Sequence, residues 1–306
     1  MMRNKQWAIT ISLVSALFFA TTFVLNRQIS LNGGSWMWSA SLRYLWMIPF
    51  LLIIVLLKKQ LRPLFIEIKA QPKQWFLWSF VGFGVFYSLL TFSASYAPSW
   101  LVASTFQITI IAGMLMAPFI NKTSYSSTFS LPTFIFSILM LIGVLITQLN
   151  QAKAVSLNEL LLGTVPVLIA AFAYPLGNRK MMQITKGRLN SVQRTLGMTL
   201  CSLPLWIGLI MVEISQNHLP SYSQLSQTLI IGLFSGVVAT TMFFWATDLV
   251  RKNEESLAAV EAVQSSEVVF AVLGEVFILK AQFPDTISMI GITLIIVGVV
   301  LHSLKK

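Results

Sequence analysis

Ten long apolar runs constrain this chain more than any other feature. A helix needs about 20 apolar residues to span the hydrocarbon core at 1.5 Å per residue. Only 10% of the 306 residues are charged, whereas soluble domains carry about 25%. We therefore predict an all-α membrane protein with ten transmembrane helices. The predicted spans cover residues 7–26, 36–57, 75–95, 99–120, 130–149, 160–178, 192–212, 227–247, 257–278 and 286–304.

The basic residues predict an orientation. If the amino terminus lies inside, the inner segments hold sixteen of the 21 Lys and Arg residues. The outer segments then hold Arg27, Lys153 and Lys280. The positive-inside rule places both termini of such a multi-pass protein in the cytoplasm, and we expect a cell (plasma) membrane location. The net charge of +11 is thus explained by topology and not by nucleic acid.

The two halves of the chain carry matching residues in the same order, at offsets near half its length. The pairs are Asn26-Arg27 with Asn178-Arg179, Arg43 with Arg194, Gly82 with Gly232, and Gly143 with Gly298. We predict two five-helix repeats, residues 1–150 and 151–306. Because five is odd, the second repeat runs through the membrane in the opposite direction, as the inverted repeats of secondary transporters do.

The ninth run carries Glu261, Gln264, Glu267 and Glu275. On one continuous helix, Gln264 and Glu275 lie about 20° apart and the other two within about 60° of Gln264. A carboxylate near the bilayer centre costs about 2.5 kcal/mol or more, so such a stripe is expected to face a cavity or a partner. We expect Glu267, about 15 Å deep, to bind substrate or a proton. Structural pairing with an arginine is the alternative.

The other glutamates and several polar residues are further candidates. Glu261 is expected near the cytoplasmic entrance. Glu275 is expected to pack or to form a surface ion pair, with Lys280 five residues further on, and a gate is the alternative. Gln107 is the approximate repeat mate of Gln264 and is expected to line the cavity or to bond between helices. Asn26 and Asn178 are assigned gate or structural roles.

Arginines and aromatic rings complete the candidate set. Arg43 lies deep enough to neutralise a glutamate or to attract an anionic substrate group, whereas Arg194 is expected to snorkel to the headgroups. Aromatic rings on the cavity helices suggest cation–π binding, with Tyr96 and Trp245 as site residues. The full aromatic set is Phe19, Phe23, Tyr87, Phe92, Tyr96, Tyr174, Phe243, Phe244 and Trp245.

The sequence lacks the motifs of soluble chemistry. It has no phosphate-binding loop, no nucleophile elbow and no zinc-protease motif. The single cysteine, Cys201, rules out a cysteine-built metal site. We expect no enzyme activity, no cofactor and no metal. The expected partners are a small substrate, protons and lipid, with a monomer or homodimer as the assembly.

Taken together, these residues resemble the drug/metabolite transporter superfamily. The resemblance rests on ten spans in two halves, the Asn-Arg that ends the first helix of each half, and the run Glu267-Val-Val-Phe-Ala-Val-Leu-Gly-Glu275. The chain is most similar to its ten-helix branch of EamA-like, multidrug resistance efflux transporters. The resemblance implies a central cavity formed by helices one to four and six to nine. The first run lacks the carboxylate that small members of the superfamily use for protons, so the ninth run would have to supply it.

The function predicted is secondary active efflux of small lipophilic cations by alternating access, coupled to protons. One alternative is an exporter or uniporter of amino acids or other metabolites. An alternative of another class is a non-transporting membrane scaffold or sensor whose charges are satisfied internally.

Overall fold

A computed structural model describes residues 2–120, 131–151 and 155–304. All regular elements in these ranges are helices. The first half contains α1 (Met2–Leu31), α2 (Trp36–Leu57), α3 (Leu61–Ala70), α4 (Pro72–Ser79), α5 (Phe86–Ser93), α6 (Ser99–Phe106), α7 (Ile108–Ile120) and α8 (Leu131–Gln151). The second half contains α9 (Leu157–Thr185), α10 (Ser191–Ser215), α11 (Tyr222–Ile231), α12 (Thr240–Val250), α13 (Glu254–Val263), α14 (Ser266–Ile278) and α15 (Thr286–Leu304).

Each predicted run is helical within the described residues. Six helical stretches are long and apolar enough to cross a membrane, so the protein is a multi-pass membrane protein. They are Lys5–Leu31, Trp36–Leu57, Pro72–Ser93, Leu157–Thr185, Ser191–Ser215 and Tyr222–Val250. The apolar helices in the remaining runs are shorter or interrupted.

Within the described residues, four runs contain an irregularity, and these occur at corresponding places in the two halves. The third and eighth runs contain π-helical segments, Phe80–Val85 and Gly232–Ala239. The fourth run breaks at Gln107, between α6 and α7, and the ninth breaks at Gln264–Ser265, between α13 and α14. The prediction of one continuous ninth helix is therefore wrong. The angles between side chains that were worked out for a continuous helix do not hold across the break.

Local hydrogen bonding accounts for the two breaks. At the ninth-run break, the backbone N–H groups of Gln264, Ser265 and Glu267 donate to carbonyls three residues back, which tightens the turn. Hydroxyl groups near each break also bond to nearby carbonyls, Thr105 to Leu101 and Ser266 to Val263. Such side-chain bonds compete with regular helix.

The helices pack in an exchanged pattern. α1 packs against α12, α13 and α14 of the other half, while α9 packs against α5, α6 and α7. α2 pairs with α10, and α8 pairs with α15. The first helix of each half, α1 or α9, is thus packed against helices of the other half.

A pair of glycines permits the close approach of α9 to the first half. A Cβ built on Gly177 would lie 2.3 Å from the Cα of Gly82. Real Cβ atoms essentially never come this close to a backbone atom, so the two segments touch through their main chains.

Candidate functional site

Two small cavities meet at Glu267 in the centre of the bundle. Each has a volume of about 20 Å³, which is room for about one water molecule. The polar cavity is lined by Phe106, Thr109, Tyr174, Pro175, Asn178, Phe243, Glu261, Gln264 and Glu267. The aromatic cavity is lined by Phe19, Thr22, Phe23, Arg43, Phe86, Leu90, Phe106, Tyr174, Ser235 and Glu267.

Glu267 lies in the first turn of α14, immediately after the ninth-run break. Its side chain is buried, with 4% of the residue exposed, and it lines both cavities. Among the described residues, no hydrogen bond or ion pair reaches its carboxylate. The position at a helix N-terminus favours negative charge there. Glu267 is thus a buried carboxylate in the wall of both cavities.

Glu261 is held in a buried ion pair. Arg179 of α9 donates from Nε to Glu261 Oε1 at 3.2 Å and from Nη2 to Oε2 at 2.6 Å. Gly113 of α7 makes room for the pair, since a Cβ there would lie 3.1 Å from Glu261 Oε2. Glu261 therefore lines the polar cavity with its charge already neutralised.

Glu275 lies away from both cavities and is also satisfied. Its carboxylate accepts a hydrogen bond from the Ser99 hydroxyl and another from the backbone N–H of Trp100, at 3.1 Å. These contacts fix α14 to the start of α6. Of the three glutamates on the ninth run, only Glu267 lacks a partner in the described part of the chain.

Arg43 lines the aromatic cavity from α2. Its guanidinium lies 3.9 Å from the ring centroid of Tyr87 and 5.2 Å from that of Tyr44. One nitrogen, Nη2, donates to the Ser235 hydroxyl at 3.2 Å, while Nε and Nη1 are buried without a hydrogen-bond partner. The described residues show no ion pair between Arg43 and Glu267, so this cavity has a cation and a carboxylate in its wall.

The polar cavity collects oxygen atoms that lack partners. Gln264 donates from Nε2 to the backbone carbonyl and hydroxyl of Ser12, at 3.1 and 2.8 Å. This fixes the amide and leaves its Oε1 buried without a bond. The Asn178 amide, the Thr109 hydroxyl and the Tyr174 hydroxyl are likewise buried and unpartnered.

The other predicted site residues lie outside the two cavity walls. Gln107 is buried at its helix break, where Nε2 donates to Ala103, and Asn26 donates to the Tyr87 hydroxyl. Tyr96 packs against Phe92. Trp245 leaves half of its surface exposed on the outside of the bundle. The structure thus brings Glu261, Gln264, Glu267, Arg43 and Asn178 to the cavities and leaves these four elsewhere.

Two arginines differ from their expected roles. Arg194 does not snorkel: its side chain is 1% exposed, pairs with Asp248 at 2.6 Å and lies 4.4 Å from the Phe244 ring centroid. Arg179 was expected to mark the end of a span, yet α9 continues to Thr185. The apolar residues Met181, Met182 and Ile184 that follow it are the sequence signal for this continuation.

Comparison with known proteins agrees with this architecture. The sequence profile of the family described as "EmrE: Putative multidrug resistance efflux transporter" matches residues 6–306. The protein YjlA of Bacillus subtilis (strain 168) is 47% identical over 304 residues, covering 97% of this chain and 94% of YjlA. A 42.1 kDa protein of Shouchella clausii, named for the 3' region of an intracellular alkaline protease, is 43% identical over 265 residues, covering 85% of this chain and 70% of the relative.

A solved crystal structure shares the fold. It superposes with a TM-score of 0.68 over 97% of this chain and 96% of its own, at 14% sequence identity. At that identity the likeness concerns the fold alone. The family match confirms the resemblance that the sequence pattern indicated.

Proposed function

The chain belongs to the putative multidrug resistance efflux transporter family, and we propose that it exports small lipophilic cations by alternating access. The observation that carries this proposal is the unpartnered Glu267 carboxylate between two cavities at the centre of the bundle. A buried carboxylate without a partner is costly and is retained where a ligand neutralises it. A cationic substrate and a proton can neutralise the Glu267 carboxylate alternately, so that one is exchanged for the other.

The wall of the aromatic cavity suits an organic cation. Phe86 and Phe106 line it together with Tyr174, whose ring lies 4.5 Å from that of Phe86 between centroids. Ring faces attract cations, most strongly when water is excluded. A lipophilic cation would place its charge at Glu267 and its apolar part against these rings.

Neither cavity at Glu267 has room for a drug-sized ligand. Drug-sized ligands occupy sites of about 300–1,000 Å³, far larger than either cavity. Transport therefore requires a second conformation in which helices separate around Glu267. The exchanged packing of α1 and α9 and the matching irregularities of the two halves support an inverted-repeat architecture, which would open alternately to the two sides.

Glu267→Gln tests the proposal. Proteoliposomes with an imposed pH gradient should accumulate a fluorescent lipophilic cation when they contain the wild type, and should lose gradient-driven uptake with Glu267→Gln. Glu275→Gln is the matched control, because its carboxylate is bound by Ser99 and Trp100 away from the cavities. Undiminished uptake by Glu267→Gln would remove this residue from coupling.

Arg43 supports a second candidate function, export or uniport of amino acids or other metabolites. A carboxylate-bearing substrate could bind the two unpartnered guanidinium nitrogens, with its ammonium group at Glu267. For such a substrate Arg43→Met should abolish uptake. Uptake of a lipophilic cation should survive the same change, so the two candidates are separated by one variant.

We also propose that both termini face the cytoplasm of the plasma membrane. The proposal rests on the excess of basic residues in the predicted inner segments. In a Cys201→Ser background, Lys59→Cys should resist a membrane-impermeant maleimide applied to whole cells, whereas Lys280→Cys should react. Labelling in the opposite pattern would reverse the orientation.

A further inference from the structure

We propose that the polar cavity binds a sodium ion. This inference goes beyond the export proposal and stands on the composition of the cavity wall alone. The wall supplies one free carboxylate and several neutral oxygens in a space of about 20 Å³, which suits a small ion in place of a water molecule.

The neutral oxygen atoms of the cavity wall belong to buried side chains. Gln264 is 5% exposed and Asn178 is 1% exposed, and the side-chain oxygen of each has no hydrogen-bond partner. The hydroxyls of Thr109 and Tyr174 are buried and unpartnered as well. A buried amide or hydroxyl without a bond costs about 1–3 kcal/mol. Four such groups around one cavity, the Asn178 amide with both its nitrogen and its oxygen unpartnered, indicate a polar ligand.

The orientation of Gln264 indicates a cation. Its amide nitrogen is bound to Ser12, so the free atom is the oxygen Oε1. The cavity therefore presents at least two groups that can only accept: the ionised carboxylate of Glu267, which has no N–H or O–H, and the Gln264 oxygen, whose amide nitrogen is already bonded to Ser12. Hard cations take ligands of this kind, namely carboxylate, carbonyl and hydroxyl oxygens.

The charge of the site favours a single positive charge. Glu261 lines the polar cavity but is paired with Arg179, so Glu267 contributes the one carboxylate without an ion pair among the described lining residues of this cavity; the cationic Arg43 lies in the wall of the aromatic cavity. No group of three or more His, Cys, Asp or Glu side chains converges in the part of the chain that the structure describes. A divalent ion would call for more carboxylates, whereas a monovalent ion is balanced by one.

Both helix breaks lie close in sequence to residues that line the polar cavity. Thr109 follows the break between α6 and α7, and Gln264 forms part of the break between α13 and α14. Breaks of this kind expose backbone carbonyls at half-helix ends, and such carbonyls coordinate sodium in transporters with discontinuous helices. Because Glu267 also lines the aromatic cavity, sodium and a cationic substrate would compete for the same carboxylate.

Thermal unfolding of the purified full-length protein in detergent tests the site. At constant ionic strength, NaCl replaces choline chloride in one series and KCl replaces it in another. An ion that binds only the native state stabilises that state by mass action and therefore raises Tm. We expect Tm to rise by several degrees with Na⁺ and to saturate, and to stay at the choline value with K⁺.

Two variants and a matched control locate the effect. Thr109→Val removes one oxygen while keeping the side-chain shape, and should raise the half-saturating Na⁺ concentration at least about tenfold. Glu267→Gln should abolish the Na⁺ response. Thr147→Val is the control, because Thr147 is also buried but lies on α8 and donates to Val144 of its own helix. Its Na⁺ response should match the wild type.

The outcomes separate this inference from the export proposal. Equal Tm values in Na⁺, K⁺ and choline, or a Na⁺ response that Thr109→Val leaves unchanged, would overturn the sodium site and would leave pH-driven export untouched. A selective Na⁺ response in a protein that transports no cation would uphold the site and reject the export proposal. If Glu267→Gln does not fold, the wild type and Thr109→Val still decide the question.

Discussion

The buried ion pair between Arg179 and Glu261 provides the sharpest test of the packing described here. Glu261→Gln keeps the size of the side chain and one acceptor oxygen but removes the charge. Arg179 is 5% exposed and Glu261 8% exposed, at a separation of 2.6 Å. Removing one partner of such a pair costs about 3–5 kcal/mol. Because glutamine still accepts one bond, we expect a cost near 3 kcal/mol.

The expected shift in Tm follows from the size of the chain. An unfolding entropy of about 2.1 cal/mol/K per residue gives about 0.6 kcal/mol/K for 306 residues. A loss of 3 kcal/mol thus lowers Tm by about 5 °C. Differential scanning fluorimetry in detergent measures this shift.

Glu275→Gln is the matched comparison. The uncharged Ser99 and Trp100 donors both bond one oxygen of its carboxylate, Oε2, so the amide oxygen of glutamine can accept both and only the negative charge is lost. The expected cost is about 1–2 kcal/mol, or about 2–3 °C. Equal shifts for the two variants would refute the reasoning, since they would mean that the Arg179 charge adds nothing to the interaction.

Two further predictions concern other parts of the fold. Gly177→Ala should destabilise the protein by about 1–3 kcal/mol or more, because its Cβ would meet the backbone of Gly82. Gly208→Ala is the control and should stabilise the protein by about 0.5–1 kcal/mol, since nothing lies within 4 Å of its Cβ. Similar changes in Tm for the two variants would contradict the close approach of α9 to Gly82. Hydrogen bonds from Arg188 lower the pKa of Glu67 below its ordinary 4.5. Glu67→Gln should therefore lower Tm at a pH above 4.5, and the difference in Tm from the wild type should disappear as the pH falls below that value. High salt should make the difference smaller. A pH-independent difference in Tm would argue against the pair.

The sequence predicts the helical runs well because apolar length is a local property. Each predicted span is mostly helical in the described residues, and α2 begins and ends where predicted, at Trp36 and Leu57. The breaks in the fourth and ninth runs were missed, because the hydropathy of a whole run gives no sign of a short stretch of tighter hydrogen bonding, although each break falls at a polar residue, Gln107 or Gln264.

The lining of the two cavities was predicted in part. A glutamate at mid-membrane depth is conspicuous in sequence, so Glu267 was chosen as a candidate, and Gln264 and Asn178, which line the same cavity, were also among the candidates. The partner of Glu261 was missed because Arg179 lies 82 positions earlier, and hydropathy treats an arginine as the end of a span. Trp245 was included for its ring alone, and residue type does not tell which way a ring faces.

The two π-helical segments have a geometric consequence for the cavity walls. A π-helical turn holds one residue more than an α-helical turn. If the same residues of Phe80–Val85 or Gly232–Ala239 were α-helical, with none removed, everything that follows would be rotated by about 100°. Phe86 and Phe243 follow these segments closely. The inserted residue in each helix therefore sets which side chains point at Glu267, while the helix itself stays intact.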